Sequence, residues 1–339
     1  MDVWMIIFLI LFLIVIFYKS KIVNDWGNSF TDKTQSIVLR GICCVIVVIV
    51  HIPKLHGNII QDAIGSFAYV CVTIFFMLSA YGLKYSLKNK KNYLKNFIRN
   101  RFLVIYIPYI MANILEQVIN FKNGFDFWKI IGINKISFVG ELIIFYLLFY
   151  IIYRNIKNQK KADYLMIIST FVISIVTYIF KFGWYVECLG FAYGIIYFDL
   201  EKKINKSITE KYWFKLIMSL LLSLVAGIIY LRVKNILIVN YLSKIMLGII
   251  IIILVYSIMK KIKICNKFIY FLGNISYEIF LLHNIIIQLF INLDVPSGIY
   301  IMIVLTTTII CSYFMNFVDK KITELIRGKK LYKLGNGRL

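Results

Sequence analysis

The sequence contains few charged residues, few prolines and few histidines. Asp, Glu, Lys and Arg together make up 16% of its 339 residues, whereas an average soluble domain carries about 25%. Hydrophobic residues make up 61%, and this excludes a disordered chain, because disordered chains have too little apolar surface to form a core. A soluble globule of this length could not bury so many Ile, Leu, Phe and Tyr side chains in one interior. The composition therefore predicts a polytopic membrane protein.

Paired cysteine motifs and a cleavable leader are also missing from the sequence. The six cysteines form no CxxC motif and no secreted-type framework, so we expect neither structural disulfides nor a metal site. Residues 1–18 are apolar but lack the basic n-region and the small-residue cleavage site of a signal peptide. We interpret them as a retained membrane span.

Long apolar runs dominate the rest of the chain. A bilayer core requires about 20 apolar residues per helix, and these runs do not show the alternation of a membrane barrel. The sequence therefore predicts an all-α transmembrane helix bundle of about 11 spans. The predicted spans are approximately 3–18, 36–52, 64–83, 102–119, 136–153, 163–180, 183–199, 214–231, 236–258, 268–291 and 298–318.

Basic residues are distributed unevenly between the two alternating sets of loops. The chain has 39 Lys and Arg against 16 acidic residues, a net charge of +23. Thirty of the 39 lie in one set of loops, seven lie in the other set, and Arg40 and Lys244 lie within spans. The positive-inside rule then places the N-terminus outside and the C-terminus in the cytoplasm. Membrane topology therefore explains the excess of basic residues, and no nucleic-acid partner is expected.

Arg40 and His51 are the first pair of ionisable residues inside a predicted span. They are 11 positions apart, which brings them to within about 20° of the same helix face, about 16 Å apart along the axis. Ionisable residues within spans are costly and commonly functional. The alternative is that Arg40 reaches lipid phosphates and that His51 is only interfacial.

Further polar residues are predicted to lie near the outer side of the membrane. His283 falls in the outer half of its span, where it is either catalytic or a packed, hydrogen-bonded histidine. Glu116, Glu141 and Glu187 project to a similar depth. Several acids at one depth indicate a water-filled cavity or a substrate path.

Cations cluster at the opposite, cytoplasmic side, where Lys95, Arg99 and Arg101 join Arg40. Such groups bind a phosphate-rich donor or anionic lipid headgroups. The two interpretations stay open at this point.

Five segments within residues 39–284 carry recognisable motifs. They are LRGICCVIVVIVH, FFMLSAYGLKYSLK, NRFLVIYIPY, GWYVECLGFAYGIIY and LGNISYEIFLLHN. The first carries an Arg-x10-His signature, the third a basic helix entry and the last a late SYxIxLLH element. Together the five segments resemble the membrane acyltransferase-3 family of bacterial O-acyltransferases. In the third segment the family's second arginine is replaced by Val104, and Arg99 is the candidate substitute.

The resemblance also implies a domain layout. One integral-membrane acyltransferase domain occupies residues 1–339, with a ten-helix core over 36–318. Residues 1–30 form an extra N-terminal helix and loop, and residues 319–339 form a basic cytoplasmic tail.

The activity implied by the resemblance is an O-acyltransferase of the bacterial cell membrane. It transfers an acyl group, expected to be acetyl, from cytoplasmic acyl-CoA to a hydroxyl at the outer face. The acceptor is expected to be a surface polysaccharide or a lipid-linked glycan. Acetyl-CoA is a co-substrate, and no permanently bound cofactor is expected.

Site roles follow from the same resemblance. His51 is the predicted general base or transient acyl carrier, since a neutral imidazole can deprotonate a hydroxyl. Arg40 engages the donor's phosphates or polarises its thioester carbonyl, and Arg101, with Arg99, docks CoA. His283 and Glu141 orient the acceptor or His51.

A transporter or flippase for lipid-linked glycans is the alternative from another functional class. Eleven spans and an acid-lined outer cavity allow it, whereas the Arg-x10-His and SYxIxLLH elements favour the enzyme. The chain has no GxSxG element in a strand-turn-helix context, so serine-hydrolase chemistry is not expected.

Overall fold

The computed structural model describes the protein as a bundle of α-helices. It covers residues 3–24, 26, 29–53, 57–120, 124, 126–132, 137–181, 183–233 and 235–327. The predicted tail is therefore described only in part, and residues 328–339 lie outside the described residues. The last helix continues past the predicted boundary at 318 and ends at Ile326.

The first half of the chain forms helices α1 to α8 and one short strand. Their bounds are α1 Val3–Phe17, β1 Lys21–Ile22, α2 Lys33–His51, α3 Ile59–Phe67, α4 Tyr69–Asn89, α5 Phe97–Arg101, α6 Ile107–Ile119, α7 Phe127–Ile130 and α8 Phe138–Asn155. A 3-10 turn at Tyr93–Asn96 precedes α5, and a π-helical turn at Phe102–Tyr106 joins α5 to α6.

The second half completes the bundle with seven more helices. Their bounds are α9 Gln159–Ile179, α10 Gly190–Thr209, α11 Tyr212–Val233, α12 Leu237–Lys261, β2 Ile262–Lys263, α13 Lys267–Asn274, α14 Ser276–Leu289 and α15 Ser297–Ile326. A 3-10 turn at Glu187–Leu189 leads into α10.

Nine of the predicted spans correspond to helical stretches that are long and apolar enough to cross a bilayer. Eight are continuous or nearly so within the described residues, and the ninth is the pair α13 and α14, which is bent by 76° at Ile275. The other two predicted spans are also helices but fall short of those criteria. Helix α1 has only 15 residues, and the second half of α10 carries several charges. The predicted all-α polytopic bundle is confirmed.

Close packing of α2 on α13 fixes the helix that carries Arg40. Gly41 and Gly273 face each other across this contact, and a Cβ at either position would overlap the neighbouring backbone. On Gly273 it would overlap the carbonyl oxygen of Ile37. Two glycines are needed here because only hydrogen-sized side chains allow this separation.

Helix α1 lies against the last helix of the bundle. Gly298 at the start of α15 contacts the backbone of Trp4, and β1 pairs antiparallel with β2, placing Lys21 opposite Lys263. The amide of Asn266 donates a hydrogen bond to the carbonyl of Val15. The extra N-terminal helix is thus fastened to the region around the broken span.

Candidate active site

The two span histidines meet although they are far apart in the sequence. His51 is the last residue of α2 and His283 lies in the middle of α14. Their ring centroids are 4.7 Å apart and the rings meet edge to face. The structure thus brings together the two residues that the sequence proposed as catalytic histidines.

Backbone hydrogen bonds orient both imidazoles in the same way. Nδ1 of His51 donates to the carbonyl oxygen of Val47 over 2.7 Å, and Nδ1 of His283 donates to that of Ile279 over 3.3 Å. A carbonyl can only accept, so the proton of each neutral ring is on Nδ1. Nε2 is then the acceptor nitrogen of each ring, as a general base requires.

The surroundings of the two rings differ. His283 is 1% exposed, and its Nε2 has no hydrogen-bond partner among the described residues. The ring of Phe280 lies 5.6 Å from it and packs in turn on Phe138. His51 is only half-buried and borders a cavity of about 540 Å³ at the end of α2. His51 is therefore the histidine that a substrate can reach, and His283 supports it from inside the bundle.

Arg40, which lies two turns into α2, is a neighbour of Arg101. Each guanidinium is close enough to Tyr146 of α8 to interact with it electrostatically, and Arg40 also interacts with Arg101. Nη2 of Arg101 donates to the hydroxyl of Tyr93 over 2.7 Å, and its guanidinium lies over the rings of Tyr146 and Phe97.

The π-helical turn after Arg101 is held by a bond from the broken span. The hydroxyl of Tyr277 donates to the carbonyl oxygen of Ile105 over 2.8 Å. Such turns are rare and are frequently found at functional sites. This contact couples the start of α14, which carries His283, to the segment that carries Arg101.

Among the residues that the structure describes, no carboxylate lies within 4.0 Å of the arginine pair. In the part of the chain that the structure describes, the only ion pairs within 4.0 Å involve Lys84, so neither guanidinium is neutralised by a carboxylate. A cavity of about 260 Å³ opens beside Arg101 and is lined by Tyr146, Tyr106 and several apolar side chains. Two adjacent cations without a counter-ion are suited to an anionic ligand.

Two predicted site residues lie elsewhere. Arg99 is exposed on α5 and does not join the arginine pair. Glu141 is 2% exposed, and the described residues offer no hydrogen-bond partner to either of its oxygens. Its charged neighbour is Glu187, and no hydrogen bond or ion pair among the described residues joins it to either histidine.

Glu187 belongs to a second polar cluster with Lys244. The two residues interact electrostatically, and the ammonium of Lys244 lies 5.2 Å and 5.4 Å from the ring centroids of Tyr69 and Tyr185. The sequence marked Glu187 and Lys244 as charges in apolar segments, but it could not show that they are neighbours.

A buried lysine was missed because it was counted with a cytoplasmic loop. Lys84 is 0% exposed and forms an ion pair with Asp163, which also accepts a hydrogen bond from Tyr153. Asp199 lies 3.7 Å away. Lys84 follows Phe76 and Ala80 at helical spacing on the buried face of α4, and this periodicity could have identified it.

Comparison with known proteins agrees with this arrangement. A family model described as "Acyltransferase domain" matches residues 33–316, a region that begins at α2 and contains both the arginine pair and the histidine pair. Neither the curated proteins nor the solved structures give a significant match. The match covers well over half of the chain and agrees with the resemblance of the five sequence segments, and therefore the protein belongs to the acyltransferase-3 family of membrane-bound acyltransferases.

Proposed function

We propose that the protein transfers an acetyl group from cytoplasmic acetyl-CoA to a hydroxyl of a cell-surface polysaccharide at the outer face of the bacterial cell membrane. The observation that carries the proposal is the arrangement of α2. A guanidinium pair lies two turns into this helix and an imidazole pair lies at its C-terminal end, about 16 Å apart along the axis.

The arginine end is the proposed donor site. Arg40 and Arg101 present several N–H donors to the phosphates of CoA, and guanidinium–phosphate contacts of this kind are strong and directional. The positive-inside distribution of Lys and Arg supports a cytoplasmic position for this end. The long arm that links the phosphates of CoA to its thiol would then extend along α2 towards His51.

The histidine end is the proposed reaction site. Nε2 of His51 takes the proton of the acceptor hydroxyl while the hydroxyl oxygen attacks the thioester carbonyl. The C–S bond then breaks, the acetyl group stays on the acceptor oxygen as an ester, and the thiolate of CoA takes the proton from His51. His283 acts through His51 as a positioning residue, and a role for Glu141 in orienting the acceptor stays a prediction.

Substitution of His51 tests the proposal. We expect His51→Ala and His51→Gln, at normal levels in the membrane, to reduce acetyl transfer from labelled acetyl-CoA to the surface glycan about 10²–10⁴-fold, the usual contribution of a general base. Arg99→Gln is the matched control because Arg99 is exposed and outside the site.

Two results would contradict the proposal. One is glycan acetylation at the wild-type level in His51→Ala. The other is movement of a lipid-linked glycan across the membrane by the purified protein in the absence of CoA, which would support a transporter instead.

A further inference from the structure

The break between α13 and α14 lies beside the helix that carries Arg40. The span is bent by 76° at Ile275. Just before the bend, Gly273 lies so close to α2 that a Cβ on it would overlap the carbonyl oxygen of Ile37. Gly41, the residue after Arg40, makes the matching contact on α2. The last turn of α13 therefore fixes the position of α2 at Arg40.

The π-helical turn Phe102–Tyr106 sets the direction of Arg101, the residue before it. In this turn the N–H of Ile107 donates to the carbonyl oxygen of Phe102, five residues earlier. Pro108 follows. A proline has no N–H for the carbonyl four residues before it, and its ring crowds that carbonyl. A wider turn relieves this crowding, so the proline accounts for the π-helical geometry.

The π-helical turn is held by the other side of the same break. The hydroxyl of Tyr277 donates to the carbonyl oxygen of Ile105, within the turn, over 2.8 Å. Tyr277 is the second residue of α14 and follows Gly273 by four positions. The break thus contacts α2 beside Arg40 on one side and the turn beside Arg101 on the other.

The two guanidiniums do not hold each other in place. Like charges repel, and among the described residues no carboxylate lies within 4.0 Å of either guanidinium. Tyr146 is a neighbour of Arg40, Arg101 and Tyr277, but an uncharged ring attracts a cation only weakly. The separation of the two guanidiniums therefore depends on the segments that carry the arginines.

We infer that residues 273–277 form a bracket that holds the two arginines at the spacing that a phosphate-bearing donor requires, and that Tyr277 is a positioning residue. Tyr277 acts through Arg101 and not on the donor itself. The inference rests on the proposed function, in which the arginine pair binds the phosphates of acetyl-CoA. It gives the tyrosine of the SYxIxLLH element a role in the donor site, separate from that of His283 in the same element.

Removal of the Tyr277 hydroxyl tests the bracket. Tyr277→Phe deletes one oxygen atom and keeps the ring. We expect the KM for acetyl-CoA to rise about three- to tenfold, the effect of one neutral hydrogen bond. The acceptor is the chemically de-O-acetylated surface polysaccharide of the producing strain. Its KM and kcat should change by less than about twofold, because uniform binding of the donor is what is lost.

The control variant is Tyr270→Phe, since Tyr270 is exposed on α13. It should leave the KM for acetyl-CoA unchanged. A purely structural role of Tyr277 would reduce the amount of folded enzyme, and hence the rate, without changing either KM.

A double variant tests whether Tyr277 acts through Arg101. Tyr277→Phe combined with Arg101→Gln should have the same KM for acetyl-CoA as Arg101→Gln alone, since the residue that the bracket positions is gone. A further rise equal to that of Tyr277→Phe alone would place the action of Tyr277 elsewhere and would overturn the inference.

Pro108→Ala perturbs the same turn independently, and it carries the test if Tyr277→Phe fails to fold. Alanine restores a backbone N–H and favours a regular α-helix, which rotates Arg101 away from its position. The KM for acetyl-CoA should again rise about threefold or more, because a misplaced binding group loses its contacts, while kcat stays unchanged.

The outcomes separate the bracket from the proposed function. If the wild type shows no acetyl-CoA-dependent transfer, the proposed function is wrong and the inference falls with it. If the wild type transfers acetyl groups normally, and both Tyr277→Phe and Pro108→Ala match Tyr270→Phe, the bracket alone is wrong.

Discussion

Removal of the buried Lys84 ammonium should destabilise the bundle. Lys84 extends from α4 between α9 and α10, where it pairs with Asp163 and lies 3.7 Å from Asp199. The Lys84 side chain is 0% exposed and that of Asp163 is 10% exposed. Lys84→Met keeps the length of the side chain but leaves Asp163 as a buried carboxylate without a cation, with Tyr153 as a hydrogen-bond donor and the Asp199 carboxyl beside it.

The size of the effect follows from this burial. Loss of one partner of a buried ion pair costs about 3–5 kcal/mol, because the remaining charge is no longer compensated. At roughly 2 °C per kcal/mol for a chain of this length, the thermal midpoint should fall by about 6–10 °C.

The assay is thermal denaturation of the detergent-solubilised protein, followed by size-exclusion chromatography. Lys88→Met, one turn further along the same helix at an exposed position, is the matched control and should shift the midpoint by less than about 1 °C. The double variant Lys84→Met with Asp163→Asn removes both charges and should recover part of the loss. If Lys84→Met is no less stable than Lys88→Met, the ion pair does not hold these helices together.

Two further substitutions test the donor end and the α2–α13 contact. Arg101→Gln should raise the KM for acetyl-CoA about 10- to 100-fold, which corresponds to the free energy of one hydrogen bond to a charged group. Arg99→Gln should leave this KM unchanged. Equal effects of the two substitutions would contradict a donor site at the arginine pair. Gly273→Ala should lower stability by about 1–3 kcal/mol through overpacking against α2, as measured by the midpoint. Gly82→Ala, with no neighbouring atom within 4 Å, should leave the midpoint unchanged or raise it, and a similar loss in both variants would refute the steric reason.

The spans could be predicted because each depends on a local property. A run of about 20 apolar residues must be helical in a bilayer, since its backbone polar groups have no other partners. Local helix geometry likewise placed Arg40 and His51 on one face. Two predicted spans, α1 and α10, needed correction. The apolar run alone did not distinguish the shorter helix α1 or the amphipathic helix α10 from a full span.

Contacts between distant segments could not be predicted. His51 and His283 meet because α2 and α14 pack together, and the sequence of neither segment indicates that it packs on the other. Lys84 was assigned to a cytoplasmic loop, because a count of basic residues does not distinguish a buried lysine from a solvated one. Arg99 and Arg101 are a case that sequence could have decided. Residues two positions apart point about 200° apart on a helix, so only one of them can face the bundle.

The position of α1 has a consequence for how the protein is made. Helix α1 is synthesised long before α15, yet α15 is its main neighbour, and the strand pairing and the Asn266 bond also come from late in the chain. Until these late segments have been inserted, the interior side of α1, including Met5 and Ile16, faces lipid. The chain between α1 and α15 forms a long loop, and bringing its ends together costs conformational entropy. The contacts that compensate for this cost form only at the end of synthesis. Seating of α1 should therefore be among the last steps of assembly, and a ribosome-bound chain truncated before α13 should hold this helix in the membrane without its native partners.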